Sequence, residues 1–397
     1  MFRKKKLGLI PLCFFSSIAF ASPETHVVVA PHCLLKNINA QYSELGSTQQ
    51  LSLISIHDNQ MDKLIDAKNN SQKNCGGFID VTHTWNKKHI SATNFLMQFK
   101  NQKSLKSTHQ IYDIQYPNET NRLISSINPM YIWNRLTSLT NYPDRFADSK
   151  NGVKAAIEIH DEMIELATST GHKSDVTIYF VPTGKFYKQP SVVMKYGNSD
   201  EPGIVIGGHM DTLSSKFSVK PGADDDGSGS VTVLETAHTI LSSGMHFKKP
   251  IYFVWYSAEE MGLVGSQFVV EDFVNKNIPV SAVIQFDMTG YRYQNDPTIW
   301  LINDYVNPDL TAFIETLITT YVKVPVGYTE CGYACSDHAT WTMNGFASSM
   351  PFEAAFGRDN PDIHTSRDTI EKLSLEHMIN FATLGVAFAT ELAEPIQ

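Results

Sequence analysis

Histidine and carboxylate side chains follow directly after three short apolar segments of this 397-residue chain. The first segment leads to His209, the second to Glu259 and Glu260, and the third to Asp287. Apolar runs without alternation indicate strands covered on both faces, and open α/β sheets bind ligands beyond the carboxyl ends of their strands. We therefore expect these four side chains to meet at one sheet edge, where they could bind a metal ion.

Two further segments carry residues of the same kind outside the predicted strands. The turn at 222–229 holds three successive carboxylates, which repel one another unless a cation or a helix N-terminus shares the site. By itself this run is equally consistent with a solvated loop that caps a helix, but its proximity to His209 favours a metal site. The turn-rich segment at 360–368 holds His364. An isolated histidine is more often a hydrogen-bonded structural residue than a ligand.

Two histidines with three carboxylates suit a pair of divalent ions such as zinc, with one carboxylate shared between the ions. Such a pair can polarise a carbonyl oxygen, activate a bridging water and stabilise the charge that develops on attack. Adjacent Glu259 and Glu260 do not easily face the same ion, so one can be a ligand while the other moves a proton. Asp211 can accept the second ring N–H of His209 and fix its tautomer; capping the turn is its alternative role.

The elements that would hold these side chains alternate along the second part of the chain. Hydrophobic periodicity predicts strands at 191–196, 203–208, 251–256, 282–286 and 298–302, and helices at 130–139, 153–167, 230–241, 265–275, 308–322 and 375–392. Helices that alternate with strands buried on both faces indicate an α/β sandwich.

Composition limits the class of protein and its partners. The hydrophobic content of 42% supports a sizeable core, so global disorder is excluded. The length predicts two to three domains of about 150 residues each. The chain has 32 basic and 41 acidic residues, a net charge of −9, and this acidic balance argues against a nucleic-acid partner.

The first 21 residues have the three-part pattern of a secretory signal peptide. A basic cluster precedes an apolar stretch that ends in Ala-Phe-Ala. The stretch is shorter than the ~20 residues that a bilayer requires, although a retained anchor is the alternative. We expect cleavage and export, either to the extracellular medium or to the periplasm in transit, with no membrane attachment afterwards.

Four cysteines remain after removal of this segment, an even number in an oxidising compartment. Locality favours Cys33 with Cys75 and Cys331 with Cys335, although four cysteines permit three pairings. Four free buried thiols are the alternative. Residues 22–125 are polar and uneven and contain no metal-type spacing. We expect them to form a smaller N-terminal region before a catalytic domain at 126–397.

Residues from about 125 to 397 resemble the secreted bacterial leucyl aminopeptidases, a family of two-zinc exopeptidases. The resemblance rests on eight segments in a fixed order: Gly207-Gly-His-Met-Asp-Thr212, Pro221-Gly-Ala-Asp-Asp-Asp226, Ala258-Glu-Glu-Met-Gly-Leu263, Gly265-Ser-Gln267, Phe286-Asp-Met-Thr289, Cys331-Gly-Tyr-Ala-Cys-Ser-Asp-His338, Met350-Pro-Phe-Glu353 and Ile363-His-Thr365. It implies a three-layer α/β sandwich, with a mostly parallel mixed sheet flanked by helices.

The resemblance also implies two Zn²⁺ ions per chain and a ligand for each position. Asp225 would bridge the two ions. His209 and Asp287 would complete the ligands of one ion, and Glu260 and His364 those of the other.

Further roles come from the same resemblance. Glu259 falls where the family has its general base, and Asp211 where it has the carboxylate partner of the first histidine. The bridge between Cys331 and Cys335 would hold the loop of Tyr333, which faces the site. The apolar pocket for the first substrate side chain would be formed by Met288, Phe352 and Phe356.

The function implied is an exported, monomeric aminopeptidase that acts on peptide or protein N-termini and prefers leucine-like side chains. Residues 22–125 fit the position of the removable propeptide of this family; an accessory domain that stays attached is the alternative. Two other functions remain open. One is a zinc enzyme of the same fold that trims carboxyl termini or cyclises N-terminal glutamine, and the other is an inactive ectodomain that binds partners. The presence of all five candidate ligands and of Glu259 argues against the inactive ectodomain.

Overall fold

The computed structural model describes residues 24–36, 38–70, 75–87, 90–100 and 110–396. The signal peptide expected at 1–21 lies outside these ranges. None of the helices in the described part combines the length and the hydropathy that a membrane span requires.

The described residues between 24 and 100 form a small N-terminal domain built on an antiparallel sheet. In the part that the structure describes, the strand order is β2-β3-β1-β4. Alternate residues of the central strand enter different cores, Val28 and Ala30 on one face and Val27 and Val29 on the other. The elements are β1 (Thr25–Pro31), α1 (His32–Leu35), β2 (Tyr42–Ser47), β3 (Leu51–His57), α2 (Met61–Asn70), β4 (Ile79–Asp80), α3 (Thr82–Lys87) and α4 (Ala92–Lys100).

The rest of the described chain forms a larger α/β domain. Its helices are α5 (Pro117–Ile124), α6 (Pro129–Thr140), α7 (Lys150–Ser169), α8 (Gly229–Ser242), α9 (Val264–Asn275), α10 (Pro308–Leu317), α11 (His338–Met343) and α12 (Leu375–Ala393). Its strands are β5 (Val176–Val181), β6 (Ser191–Tyr196), β7 (Gly203–His209), β8 (Ile251–Tyr256), β9 (Val280–Gln285), β10 (Ile299–Ile302), β11 (Val326–Thr329), β12 (Ser348–Ser349) and β13 (Pro351–Phe352).

The predicted elements are all present, with bounds that differ by no more than three residues except at one helix. The helix predicted at 308–322 ends at Leu317 and continues as the π-helical turn Ile318–Val322. The edge strand β5 was not predicted, although its sequence Val-Thr-Ile-Tyr-Phe-Val is apolar; five of its six residues are only partly buried or exposed.

The central sheet has the strand order β12-β9-β7-β8-β6-β5 among the described residues. Strands β12, β9, β7 and β8 run parallel, whereas β6 and β5 are antiparallel to their neighbours. The chain moves from β7 to β8 on one side and then crosses to β9 on the other. In such sheets the crevice for a ligand opens beside the strand where the direction of winding changes. The carboxyl end of β7, which is His209, lies at this place.

Helices cover both faces of this sheet, as the unbroken apolar sequence of β8 requires. Ile251, Phe253 and Trp255 face the core that α6, α8 and α12 complete, while Tyr252 and Val254 face the core of α9. Such alternation buries each side of the strand against a different helical layer. The three-layer α/β sandwich with a mostly parallel mixed sheet is confirmed.

Helix α5 precedes the domain boundary predicted at residue 125 but packs with the larger domain. Leu123 lies in the main core. The carboxylate of Glu391 on α12 accepts hydrogen bonds from the backbone N–H groups of Gln115 and Tyr116 and from the hydroxyl of Thr120. Residues 115–124 therefore belong structurally to the larger domain.

The two disulfides join the pairs that locality favours. Cys33 is bonded to Cys75 within the N-terminal domain, and Cys331 is bonded to Cys335 in the loop before α11. Cys331 and Cys335 are only 4 residues apart in sequence. A bridge that closes so short a loop adds little to global stability. The second bridge therefore acts mainly on the local shape of the loop that carries Tyr333.

Candidate metal centre

The structure brings all five candidate ligands to one edge of the central sheet. His209 is the last residue of β7, Glu260 follows β8, and Asp287 follows β9. Asp225 lies in the π-helical turn that leads into α8, and His364 lies in the loop that leads to α12. The convergence expected from the carboxyl ends of the strands is therefore present.

The carboxylate of Asp225 lies between two groups of these side chains. Its Oδ1 is 3.1 Å from Nε2 of His209, and its Oδ2 is 2.9 Å from Nε2 of His364. His209 Nε2 is also 3.6 Å from Asp287 Oδ1, and His364 Nε2 is 3.1 Å from Glu260 Oε2. Ligands around a tetrahedral zinc ion with bonds of 2.0–2.1 Å are about 3.3 Å apart. The four histidine–carboxylate distances are thus close to the ligand spacing of a zinc site.

The chemistry of the donors fits a cation. Both ring nitrogens of His209 are buried without a hydrogen bond of acceptable geometry, although three carboxylates surround the ring. Burial would raise the pKa of Asp225, but the imidazoles of His209 and His364 outweigh burial and lower it. Burial lowers the pKa of His364. The negative charge of Glu260, together with the hydrogen bonds that His364 makes with Asp225 and Glu260, outweighs burial and raises the pKa of His364 to about 10. The site therefore holds positive charge strongly, and bound zinc would replace these protons.

Asp226, the neighbour of Asp225, holds three segments of the site together. Its carboxylate accepts hydrogen bonds from the backbone N–H groups of His209, Gly229 and Met288, at 3.0, 2.8 and 3.1 Å. These groups belong to the end of β7, the start of α8 and the loop after β9. One buried side chain therefore fixes the relative positions of three ligand-bearing segments.

Asp211 and Asp368 act in the same way on the remaining segments. Asp211 accepts the backbone N–H groups of Glu259 and Glu260, at 3.0 and 3.3 Å, and its Oδ1 lies 3.4 Å from Nδ1 of His209. Asp368 accepts the backbone N–H groups of Asp224 and Asp225. The position of Asp211 allows the role in fixing the His209 tautomer, while its backbone contacts show that it also holds the glutamate loop.

A fully buried arginine, Arg145, binds the backbone next to the acidic turn. The guanidinium of Arg145 donates hydrogen bonds to the carbonyl oxygens of Leu139, Met210, Pro221 and Gly222. Because a guanidinium always carries charge, it also offsets part of the negative charge of the aspartates nearby.

The backbone at the site adopts left-handed conformations that side chains other than glycine rarely take. Ala258, Met288 and His364 have φ angles of 51°, 62° and 60°. Each is a candidate ligand or lies beside Glu259 or Asp287. Such conformations persist only where surrounding contacts fix them, and they are concentrated at functional sites.

Glu259 lies beside the ligand groups and lines the same cavity. It is 7% exposed. Burial raises the pKa of its carboxyl well above the ordinary range, while the charges of His209 and Lys68 oppose this effect. Cations bound at Asp225 would oppose the effect of burial in the same way. A carboxyl beside the candidate metal ligands is placed to exchange a proton with a group in the cavity.

An apolar recess adjoins the carboxylates within a cavity of about 390 Å³. The residues expected to form the substrate pocket, Met288, Phe352 and Phe356, lie together there with the Cys331–Cys335 bridge. The ring of Tyr333 is packed edge-on to that of Phe356, with centroids 6.1 Å apart. Burial raises the pKa of Tyr333 to about 12, so its hydroxyl keeps its proton at neutral pH.

Two residues that the N-terminal domain contributes to the cavity were not predicted from the sequence. Lys68 and Asn69 line the cavity beside Glu260 and His364. No sequence spacing indicates these two residues, because Lys68 and Glu260 are far apart in the sequence, as are Asn69 and His364. Asp226, Asp368 and Arg145 were also missed, since nothing in their types distinguishes a backbone-binding side chain from a surface one.

Comparison with known proteins identifies the family. Residues 191–389 match the model described as Peptidase family M28. Leucine aminopeptidase 1 of Coccidioides posadasii is 34% identical over 307 residues, which are 72% of this chain and 78% of the relative. The chain belongs to peptidase family M28. The resemblance to leucyl aminopeptidases is thereby confirmed.

Two solved structures extend this likeness beyond residues 191–389. The LapA aminopeptidase of Legionella pneumophila is 40% identical, with a TM-score of 0.87 over 95% of this chain and 100% of that one. LapB from the same organism is also 40% identical, with a TM-score of 0.86 over 94% and 100%. Matches of this extent include most of the N-terminal domain.

We expect Asp226→Asn to weaken zinc binding about 10- to 100-fold, the range found when a residue that orients metal ligands is changed. An amide cannot accept from all three N–H groups, so the ligand segments would lose their common anchor. Competition with a zinc-sensitive chelator measures the affinity. Asp148→Asn, which removes only a surface ion pair with Lys188, is the control. Equal zinc affinity in both variants would contradict the role given to Asp226.

Proposed function

We propose that this chain is a secreted zinc aminopeptidase that removes leucine-like residues from the N-termini of peptides. One observation carries the proposal. The carboxylate of Asp225 separates two His–carboxylate groups, next to Glu259 and an apolar recess. This combination provides places for two metal ions, a proton acceptor and one apolar side chain.

The residues would hold two zinc ions with Asp225 in common. His209 and Asp287 would complete one set of ligands, and Glu260 and His364 the other. Zinc bound in this way supplies a polarised substrate carbonyl, an acidified water and stabilisation of developing negative charge. Asp211 would keep the Nδ1 proton of His209 directed away from the metal side.

Glu259 would act as the general base and then as the general acid. Its carboxylate takes a proton from the attacking water, whose oxygen forms the new bond to the scissile carbonyl carbon. The same carboxyl then gives the proton to the departing amine nitrogen as the C–N bond breaks. The hydroxyl of Tyr333 could donate a hydrogen bond to the carbonyl oxygen as its charge increases.

The recess supports a preference for apolar first residues. Met288, Phe352 and Phe356 offer hydrocarbon and aromatic surface to a leucine side chain, whose burial gains roughly 1.5–3 kcal/mol. The excess of carboxylates beside the recess attracts a protonated α-amino group, so a free N-terminus would bind better than a blocked one.

Secretion rests on the sequence pattern at residues 1–21. The two disulfides are consistent with an oxidising compartment. We further propose that the region at 22–125 is removed as a propeptide, the alternative being an accessory domain that stays attached.

We expect Glu259→Gln to reduce kcat by about 10³-fold, because positioned proton transfer contributes typically 10²–10⁴-fold. Zinc content should be unchanged, since the amide keeps the volume and Glu260 remains as ligand. Steady-state kinetics with a leucine chromogenic amide and elemental analysis measure the two effects. Glu158→Gln, on the surface of α7, is the control. Substantial residual activity with Glu259→Gln would remove the assignment.

We expect hydrolysis of the leucine chromogenic amide to stop with a zinc chelator and to return with added zinc. An N-acetylated form of the same amide should not be cleaved, because it lacks the ammonium group. Peptides blocked only at the carboxyl end should remain substrates. Release of carboxyl-terminal residues, or cyclisation of an N-terminal glutaminyl peptide, would instead support one of the alternative zinc enzymes.

A further inference from the structure

A second group of metal-binding side chains lies at the end of the central sheet opposite the candidate metal centre. His172 and Asp175 follow α7, and His246 lies in the loop between α8 and β8. One ligand atom from each of the three lies within 4.8 Å of the others. Tyr196, the last residue of β6, contacts both histidines. We call these four residues the distal cluster.

The distal cluster is separate from the side chains that the proposed function uses. Tyr196 is paired with Ile251, and Ile251 is paired with Ile204 near the start of β7. His209 is the last residue of the same strand. A rise of ~3.3 Å per residue puts Ile204 and His209 roughly 17 Å apart. An ion in the distal cluster would therefore not touch the ligands at the other sheet edge.

Two oxygen atoms lie beside Nδ1 of His172. Oδ2 of Asp175 is 3.2 Å from this nitrogen, and Oη of Tyr196 also lies there, at 3.3 Å. The hydroxyl of Tyr196 donates its proton to the carbonyl of Met245, at 2.7 Å. Burial raises the pKa of Tyr196, so this hydroxyl is neutral at physiological pH. Both oxygens therefore present lone pairs to Nδ1, and a positive charge between the three atoms would stabilise them.

A proton on Nδ1 is the simplest occupant of this space, since it could donate to Asp175 or to Tyr196 without any metal. Two other features favour a cation. The distances of 3.2 and 3.3 Å match the spacing of about 3.3 Å between ligands of a tetrahedral zinc ion. A hydrogen-bonded pair also needs no second imidazole, whereas His246 brings one to the same place.

His246 is exposed, whereas His172 is only 6% exposed. The two rings are nearly perpendicular, with centroids 5.3 Å apart. Backbone hydrogen bonds hold the buried side of the cluster, from His172 to the carbonyl of Ala167 and from Gly197 to the carbonyl of Asp175, each at 2.8 Å. The exposed imidazole can reorient and leaves a path for an ion from solvent, which a metal site requires. The cluster thus combines a fixed part with an adjustable ligand.

The cations that follow His246 in the sequence do not neutralise Asp175. Nζ of Lys248 lies 3.0 Å from Glu394, and Nζ of Lys249 lies 2.6 Å from the same carboxylate. Asp175 instead pairs with His172. Its negative charge therefore remains directed at the imidazoles of the cluster.

We propose that the distal cluster binds a zinc ion through His172, Asp175 and His246, with Oη of Tyr196 beside the ion as a weak fourth donor. Two imidazoles and one carboxylate are ligands that zinc accepts, and the proton on His172 would leave as zinc binds. The ion would join the loop after α7 to the loop before β8. The carbonyl of His246 also accepts the N–H of Ile396, at 2.8 Å, so the C-terminal segment would be held by the same ion.

Calorimetric titration of the metal-free full chain with zinc tests this site. We expect His246→Ala and Asp175→Asn each to bind one zinc ion fewer per chain than the wild type. The first variant keeps the backbone contact with Ile396, and the second keeps the side-chain volume. His160→Ala is the matched control, because His160 pairs with Asp161 at 2.9 Å but is not part of a metal-binding cluster in the described chain.

Thermal unfolding gives a second readout. At zinc concentrations about tenfold above the dissociation constant of the distal site, the Tm of the wild type should exceed that of His246→Ala by about 2–4 °C more than it does without zinc. His160→Ala should show the same zinc-dependent gain as the wild type.

The outcomes decide between a cation and a proton at His172. Loss of one ion from both variants, with the full number retained by His160→Ala, supports the distal site. Equal stoichiometry in the wild type and either variant overturns it as proposed. Hydrolysis of the leucine amide should be the same in all four proteins. Its absence from all of them would count against the aminopeptidase proposal and leave the result on the distal site unchanged.

Discussion

The burial of several carboxylates at one sheet edge is the constraint on which the rest of this structure depends. Asp225, Glu260 and Asp287 meet there almost without contact with water, and like charges so placed repel strongly unless cations lie between them. The two imidazoles face these carboxylates from opposite sides of Asp225. The buried carboxylates at this sheet edge therefore need positive charge beside them to offset their repulsion.

The surrounding structure fixes this arrangement through backbone groups rather than through further ligands. Asp211, Asp226 and Asp368 each accept two or more backbone N–H groups from ligand-bearing segments. Hydrogen bonds to a carboxylate are stronger than those between neutral groups, and their loss in a buried place is costly. The ligands are thereby held in position before any ion binds, which is what precise positioning of a water and a carbonyl requires.

Much of this site follows from the sequence because three candidate ligands lie at or shortly after the ends of consecutive buried strands. The parallel sheet alone predicted that His209, Glu260 and Asp287 lie close together. The resemblance to the leucyl aminopeptidases added Asp225 and His364 as ligands. The contribution of Lys68 could not be predicted, since a lysine at the end of a polar helix is normally solvated. The role of Asp226 was equally hidden, because the directions of three successive side chains in a turn depend on backbone angles that spacing does not reveal.

The central claim is that two zinc ions share Asp225. Anomalous X-ray diffraction at the zinc absorption edge, on crystals of the zinc-loaded full chain, tests it most directly. We expect two peaks about 3.5–4 Å apart, one beside His209 and Asp287 and the other beside Glu260 and His364, with Asp225 between them. A single peak, or two peaks that do not share Asp225, would contradict it.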